Sequence, residues 1–365
     1  MKVLQVNKLY PPVTGGIEQH VKQLAEGWTA HGESRVLVVR DGFGWGDEKI
    51  ESGVTVRRGG SIGRFRSMPI SLTFWYWLWR ESARADAVHL HFPFPLAAFS
   101  WWLVRPKKPL IVTWHSAIVR QRILGRLAKP FVRYALRRAE KIIVTFPQAP
   151  EVFEELREWR DKCEVIPLGI DSAWWAAPSP HAAARSSAPL FVYAGRLVYY
   201  KGLPTLIEAA ARLRTGTLWI MGAGPLRRSL ERLAREKECA ERVLFKEAPT
   251  DESFRAYLHA ADVVVLSSTH PSEVFGLVQL EAMAMGKPLI NTALPTGVPW
   301  VARDGEEALT VPPGDSAALA RAMERLAADP ALRARLGAAG KRRVEELFTL
   351  DRMRAACYAV YKKFI

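Results

Sequence analysis

The chain has 365 residues and a mass of 41.0 kDa, too long for one small core and typical of two domains. Hydrophobic residues make up 49% and charged residues 24%, which excludes a disordered tail, a collagen and a coiled coil. There are 52 Lys and Arg against 37 Asp and Glu, a net charge of +15. Cys163, Cys239 and Cys357 are far apart and form no C-x-x-C pair. That argues against a disulfide scaffold and a cysteine-held zinc, and fits a reducing compartment.

Met1–Gln5 leads straight into an apolar run, without the charged region, apolar core and cleavage site of a secretory signal, so none is expected. The longest apolar stretch, Pro69–Trp79, is bracketed by Arg66 and Arg80 and is far short of the ~20 residues that span a bilayer. The chain is expected to be soluble or held at a membrane only by its surface.

In chain order, Val3–Asn7 is a strand candidate, followed by Gly15-Gly16 and a helix from about Ile17 to Ala30. Further strands are predicted at Arg35–Val39, Ala87–His91, Leu110–Trp114, Ile142–Phe146 and Glu164–Pro167. The rhythm then restarts with strands at Leu190–Ala194, Thr217–Met221, Val243–Phe245, Val263–Ser267, Pro288–Asn291 and Leu309–Val311. Helices fall between them at Leu203–Leu213, Leu226–Glu238, Asp251–Ala260 and Phe275–Met285. Repeated strand–helix–strand order implies an α/β protein with parallel sheets covered by helices on both faces. Two such series imply two doubly wound, Rossmann-like domains, 1–170 and 190–348. The stretch 171–189 between them, with Pro178, Ser179, Pro180, Ser186 and Ser187, is a linker by composition. Ser316–Ile365 reads as three helices with caps at Asp315/Ser316, Asp329-Pro330 and Thr349. Ligands of open parallel sheets bind at the carboxyl ends of the strands, so the chemistry is expected in a cleft where two such ends face each other.

The charge is uneven. Residues 64–141 hold 15 basic and 3 acidic side chains, and six of the 13 tryptophans: Trp75, Trp77, Trp79, Trp101, Trp102 and Trp114. An anionic membrane surface suits this composition, because indoles settle at the headgroup level and each Lys or Arg gains about 1 kcal/mol near anionic lipid. A solvated basic face over buried aromatics fits it as well. Nucleic acid is disfavoured, since no recognisable module for it is present.

Several turns could carry chemistry. Gly15-Gly16 precedes a helix whose free N–H groups suit a phosphate, and an ordinary turn fits equally. Gly195–Gly202 follows a strand and places two cations, Arg196 and Lys201, on one strand–helix loop, able to neutralise a diphosphate without a metal; taken alone, a solvated loop fits it as well. Gly222-Ala223-Gly224-Pro225 is a second phosphate-compatible turn, with Pro225 suited to a first helical turn. Glu273 and Glu281 are eight residues apart, about 12 Å if helical, which suits opposite ends of an extended ligand better than the ~5 Å pair of a retaining hydrolase. Glu281 lies within an apolar helix and asks for a polar partner; a salt-bridged core glutamate is the alternative. His115 ends a strand and could bond a phosphate or a reacting hydroxyl. His89 and His91 share one strand face, a spacing open to metal but without an evident third ligand.

Together these segments resemble family 4 glycosyltransferases of the GT-B fold, over nearly the whole chain. The resemblance rests on Gly15-Gly16-Ile17-Glu18, Trp114-His115-Ser116, Gly195-Arg196-Leu197 with Lys201-Gly202, and Gly222-Ala223-Gly224-Pro225. It extends over Pro271–Leu277, Glu281–Pro288 and Val311–Asp315, with Glu273 and Glu281 in E-x7-E spacing. It implies two Rossmann-like domains across a cleft, the final helix (349–365) returning to the first. It implies a retaining, metal-independent transfer of a sugar from a nucleotide diphosphate donor. In that resemblance His115, Glu273, Arg196 and Lys201 are the catalytic candidates. Glu281 holds the ribose, Arg196 and Lys201 the diphosphate, and Gly15, Gly16, Gly222, Gly224 and Pro225 line the donor. Glu273 and the backbone of Phe275, Gly276 and Leu277 hold the sugar hydroxyls, and Val274 and Val278 belong to the donor site. No Asp-x-Asp metal motif occurs.

Within the family, His89–Pro95 and His115–Gln121 look like bacterial mannosyl- and rhamnosyltransferases of lipopolysaccharide O-chain synthesis. Those relatives commonly carry Asp where Ala117 stands. The subgroup implies a GDP-sugar donor and a polyprenyl-diphosphate-linked glycan acceptor, contacted by His89, His91, Ser116 and Arg120, at the inner face of the cytoplasmic membrane. Competing readings are a nucleotide-sugar epimerase or glucan synthase on the same fold, or a non-catalytic basic protein that binds membrane or nucleic acid.

Overall fold

Short β-branched runs and the helices between them build two separate parallel sheets. The computed structural model describes residues 1–13, 15–65, 68–116, 122–179, 188–247 and 250–365. They divide into two units: Met1–Leu168 with Asp351–Ile365, and Gly169–Leu350.

In the first unit the strands are β1 (Lys2–Val6), β2 (Glu33–Val39), β3 (Asp47–Glu51), β4 (Val54–Gly59), β5 (Ala87–Phe92), β6 (Leu110–Trp114), β7 (Lys141–Val144) and β8 (Cys163–Val165). They form one sheet in the order β8-β7-β6-β5-β1-β2-β4-β3. All neighbours are parallel except β3 against β4. Every residue of β5 and β6 is buried, which is why these strands read as near-continuous apolar runs. The edge strand β3, Asp-Glu-Lys-Ile-Glu, has no apolar alternation and is not predicted from sequence. It is held by ion pairs: Arg57 with Glu48 and Arg58 with Glu51, each at 2.7 Å. The chain order reverses at β1, between β2 and β5. The helices of this unit include α1 (Gly16–Trp28), α2 (Phe74–Arg84), α3 (Pro95–Val104) and α4 (Arg122–Arg138).

In the second unit β9 (Leu190–Ala194), β10 (Thr217–Met221), β11 (Val243–Lys246), β12 (Val263–Val265), β13 (Leu289–Thr292) and β14 (Ala308–Val311) form an all-parallel sheet. Its order is β11-β10-β9-β12-β13-β14, so the topological switch point lies between β9 and β12. The helices that matter below are α5 (Leu203–Ala211), α6 (Leu277–Ala284), α7 (Ser316–Ala328), α8 (Pro330–Leu347) and α9 (Leu350–Phe364). Asp315 and Asp329 cap α7 and α8, their carboxylates accepting from the backbone N–H of Ala318 and Leu332. Within 171–189, Asp171 caps a short helix, Ser172–Ala176. Arg255 holds that helix by donating to the Trp174 carbonyl at 2.6 Å.

Residues of α9 from Asp351 onward belong to the first unit. There Tyr358 donates to the Leu24 carbonyl at 3.0 Å, and the Tyr361 ring meets Trp28 edge-on at 5.2 Å. No helix among the described residues is long and apolar enough to cross a membrane.

Candidate functional site

The second unit gathers its charged residues at the switch point. The loop after β9 carries Lys201 and the loop after β12 carries Glu273. Lys201 Nζ lies 2.5 Å from Glu273 Oε2, and both side chains are buried. Ser268 Oγ donates to the same oxygen at 2.8 Å, and Ser267 Oγ donates to the Lys201 carbonyl at 2.9 Å. The glutamate is thus oriented by two donors from adjoining loops. Arg196 stays exposed and donates to the Tyr200 hydroxyl at 2.9 Å. Read from sequence, Arg196 and Lys201 form a pair of equivalent cations. Folded, one is already engaged with a carboxylate and the other faces solvent.

Backbone packing brings the glycine turns together. Gly222 has φ +132°, and a Cβ there would lie 2.0 Å from the Gly195 carbonyl oxygen. Leu197 N–H donates to the Ala223 carbonyl at 2.9 Å, tying the two turns. Gly202 (φ +65°) passes so close to the Ser267 carbonyl that a Cβ would sit 1.9 Å from it. Both turns need glycine for the backbones to touch.

Glu273, Val274, Phe275 and Gly276 lead into α6, where Gly276 is the N-cap in the left-handed region (φ +71°). Val274, Phe275 and Val278 are buried and Leu277 is half-buried. Gln279 props this entry by donating to the Phe275 carbonyl at 2.8 Å, while Asn291 donates to its Oε1 at 2.9 Å. The first amides of α6 therefore point out of a rigid frame, an arrangement that favours negative charge. One turn further in lies Glu281. Burial is the main cause that pushes its carboxyl up from 4.5 to about 8; Asp251 adds to the rise and Lys201 opposes it.

In the first unit the carboxyl ends of β1, β5 and β6 hold a polar chain beneath the surface. Gln5 Nε2 donates to the Tyr361 hydroxyl at 2.8 Å. That hydroxyl is 2.7 Å from His89 Nδ1, and His89 Nε2 is 2.7 Å from Thr113 Oγ1. Gln5 Oε1 lies 2.8 Å from His91 Nε2, and His91 Nδ1 lies 3.0 Å from His115 Nε2. An amide oxygen only accepts, so His91 carries its proton on Nε2 and accepts at Nδ1. His115 then donates from Nε2 and keeps a lone pair on Nδ1. Burial first, and neighbouring histidines second, hold His91 and His115 well below the usual imidazole range; His89 is held there likewise, by burial and then His20. The network is neutral near pH 7.

His20 on α1 joins this group and is not singled out in the sequence. Its ring stands edge-on to His91 and His115 at 5.6 and 5.1 Å. Neither of its nitrogens has a hydrogen-bond partner among the described residues, and burial lowers it to about 4. The available signal was its place one turn into the helix after Gly15-Gly16. His20, His91 and His115 each offer a nitrogen within 4.8 Å of the others, a set that a divalent transition metal could use; a hydrogen bond already joins two of them.

The structure therefore collects Lys201, Glu273 and the turns at Gly195, Gly222 and Gly224 at one edge of the second sheet. It collects His91, His115 and His20 at the corresponding edge of the first. Gly15 and Gly16 are exposed at the start of α1, Pro225 follows the Gly222 turn, and Ser116 is half-buried after β6. His89 is fully buried with both nitrogens engaged, so its place is behind the surface. Arg120 and Ala117 lie outside the described residues.

The two Rossmann-like units carry their glycine turns and a Lys–Glu pair at strand ends and a switch point, and comparison with known proteins places this architecture in a family. The profile "Glycosyltransferase Family 4" matches residues 14–174, and "Glycosyl transferases group 1" matches residues 180–343. The chain is 31% identical over 370 residues to the O-antigen chain mannosyltransferase C of Escherichia coli, covering 99% of this chain and 98% of that protein. It is 32% identical to the D-rhamnosyltransferase WbpZ of Pseudomonas aeruginosa, over 66% of this chain and 64% of that one. Sucrose-phosphate synthase from Thermosynechococcus elongatus superposes with a TM-score of 0.80 at 24% identity over 99% of this chain and 98% of that one. Anabaena HepE in complex with UDP superposes with a TM-score of 0.78 at 17% identity over 100% of each. The chain belongs to the family 4, group 1 glycosyltransferases and has the GT-B fold.

Proposed function

We propose that this enzyme moves a hexose of the mannose or rhamnose type from a nucleotide diphosphate sugar, GDP-linked by preference, to a polyprenyl-diphosphate-linked glycan. Anomeric configuration is retained and no divalent metal is needed. The setting is lipopolysaccharide O-chain synthesis at the inner face of the cytoplasmic membrane. The observation that carries the reading is the buried Lys201–Glu273 pair at the switch point, flanked by the glycine turns and the amino end of α6. The similarity to an O-antigen mannosyltransferase and a D-rhamnosyltransferase supports the sugar and pathway. The HepE structure, bound to UDP, supports a nucleotide donor for this fold.

In this reading the second unit binds the donor. Cleaving the sugar–phosphate bond builds negative charge on the leaving diphosphate. Arg196, Lys201 and the free amides of α6 are preorganised donors for that charge. The Lys201 ammonium has three N–H groups, so it can keep Glu273 and still reach a phosphate oxygen. Glu273, fixed by Lys201 and Ser268, accepts from sugar hydroxyls, and Glu281 holds the ribose diol. The first unit binds the acceptor, with Ser116 half-buried after β6 and His115, buried just beneath the surface, serving the reacting centre and the phosphate. His89 and His91 act behind them as supports, because their nitrogens are taken within the protein. The sugar carbon's bond to phosphate oxygen breaks as its bond to the acceptor oxygen forms on the same face, and the acceptor's proton passes to the departing phosphate oxygen.

A donor panel of GDP-, UDP- and ADP-sugars, read by thermal shift and product analysis in EDTA, tests this. A melting-temperature rise with one nucleotide class is expected by mass action. A trapped covalent glycosyl-enzyme adduct would overturn the same-face displacement.

A further inference from the structure

Helices α2 and α3 lie side by side in the first unit and leave an apolar groove of about 580 Å³ between them, lined by Trp75, Tyr76, Trp79, Leu103 and Val104. The sequence explains why the groove is open. On α2, Phe74 and Leu78 are four residues apart and buried, while Trp75 and Trp79, also four apart, face outward with exposures of 45% and 55%. α3 is apolar all round. Such a helix normally sits inside a core, yet Phe99 and Leu103 are exposed, Leu103 by 46%. Leu72 before α2 and Leu127 on α4 are also exposed.

The surroundings are cationic. Arg80, Arg84, Arg105 and Lys107 are exposed around this layer. The Arg80 and Arg105 guanidiniums lie beside the Trp77 and Trp102 rings, at 5.8 and 5.7 Å, so exposed positive charge sits directly against the aromatic surface. The acidic residue of α2 itself is turned inward. Glu81 is fully buried and paired with Arg35 at 2.7 Å, while Asp86, past the helix end, stays exposed and accepts from the Lys2 backbone N–H at 2.7 Å. Outward-facing tryptophan and leucine ringed by arginine, with the one carboxylate of α2 withdrawn, is complementary to anionic headgroups above hydrocarbon.

We propose that the α2–α3 face docks on an anionic bilayer leaflet and that the Trp75/Trp79/Leu103 groove takes up a lipid hydrocarbon chain. This rests on the membrane half of the function proposed above and gives it an address. It is independent of which sugar is moved.

The test is vesicle sedimentation of the full chain in low salt, with phosphatidylcholine alone and with phosphatidylcholine containing phosphatidylglycerol. Wild type is expected to bind the anionic vesicles at least about tenfold more tightly, and brominated lipid is expected to quench its tryptophan fluorescence. Trp79→Ser with Leu103→Ser is expected to weaken binding about tenfold and to lose most of the quenching, at an unchanged melting temperature. Arg80→Glu with Arg105→Glu is expected to abolish the preference for anionic lipid. Leu244→Ser, a similarly exposed apolar site in the other unit, is expected to change nothing. Folded groove variants that bind and quench like wild type overturn the docking face while leaving transfer intact. Equal binding of wild type to both vesicles, or to neither, overturns it together with the membrane half of the reading. Transfer to a soluble acceptor, assayed separately, reports on the chemistry alone.

Discussion

Lys201 Nζ and Glu273 Oε2 meet at 2.5 Å in a buried position where two loops of the second sheet converge. Removing one partner strands the other charge away from water. Lys201→Ala is expected to cost about 3 kcal/mol of stability and to lower transfer by about 10²–10³-fold. The double change Lys201→Met with Glu273→Leu removes both charges and is expected to regain most of the stability and none of the transfer. Chemical denaturation and a transfer assay on the three variants check this. Recovery of transfer in the double variant would contradict it.

Glu281 is expected to give a pH signature. Its folded carboxyl titrates near 8 instead of 4.5 because of burial, so the folded state holds a proton that the unfolded state has lost. Stability therefore falls as pH rises from about 4.5 to about 8 and is flat above that. Glu281→Gln should remove this slope and be more stable than wild type at pH 8.5 by on the order of 1–3 kcal/mol, measured by urea unfolding at pH 5.5 and 8.5. If the ionised form holds the ribose, wild-type nucleotide affinity rises over the same window.

Gly222→Ala tests the contact between the glycine turns. The added methyl would stand 2.0 Å from the Gly195 carbonyl oxygen at a φ of +132°. A loss of about 1–3 kcal/mol is expected, with donor affinity down at least about tenfold by calorimetric titration. Native affinity in the variant would show that the turns do not shape the donor site.

Tyr361→Phe probes the buried chain of the first unit. The change leaves the Gln5 amide and His89 Nδ1 without their shared hydroxyl. A cost of about 1–3 kcal/mol is expected, seen as a lower melting temperature.

Much of this architecture was legible in the residues. The central strands of both sheets are buried on two faces, so Leu110–Trp114 and Leu190–Ala194 stand out as unbroken apolar runs. Asp315 and Asp329 announced their helices by capping chemistry. Strand β3 stayed hidden because Asp47, Glu48 and Glu51 hold it along an edge through ion pairs and not through burial. The site was legible as a set of residue types but not as a set of partners. Lys201 and Glu273 are separated by 72 positions, and only the fold of the second sheet joins them. His20 sits on the inner stripe of an amphipathic helix, where a histidine looks like any half-polar core residue. His89 and His91 read as a pair on one face, which they are; that both are sealed below the surface depends on Tyr361 arriving from the far end of the chain to bond His89, and on Gln5 and His115 bonding His91.

The central claim is that the pyrophosphate of a nucleotide sugar leaves under the influence of Lys201 and Arg196 while the sugar keeps its anomeric configuration. The direct measurement is proton NMR of the product formed from an α-linked nucleotide sugar in EDTA, comparing wild type with Arg196→Ala. An α-linked product from wild type, with the rate down by at least about tenfold in the variant, is the expected result. A β-linked product, or transfer that stops when divalent metal is removed, would contradict the account.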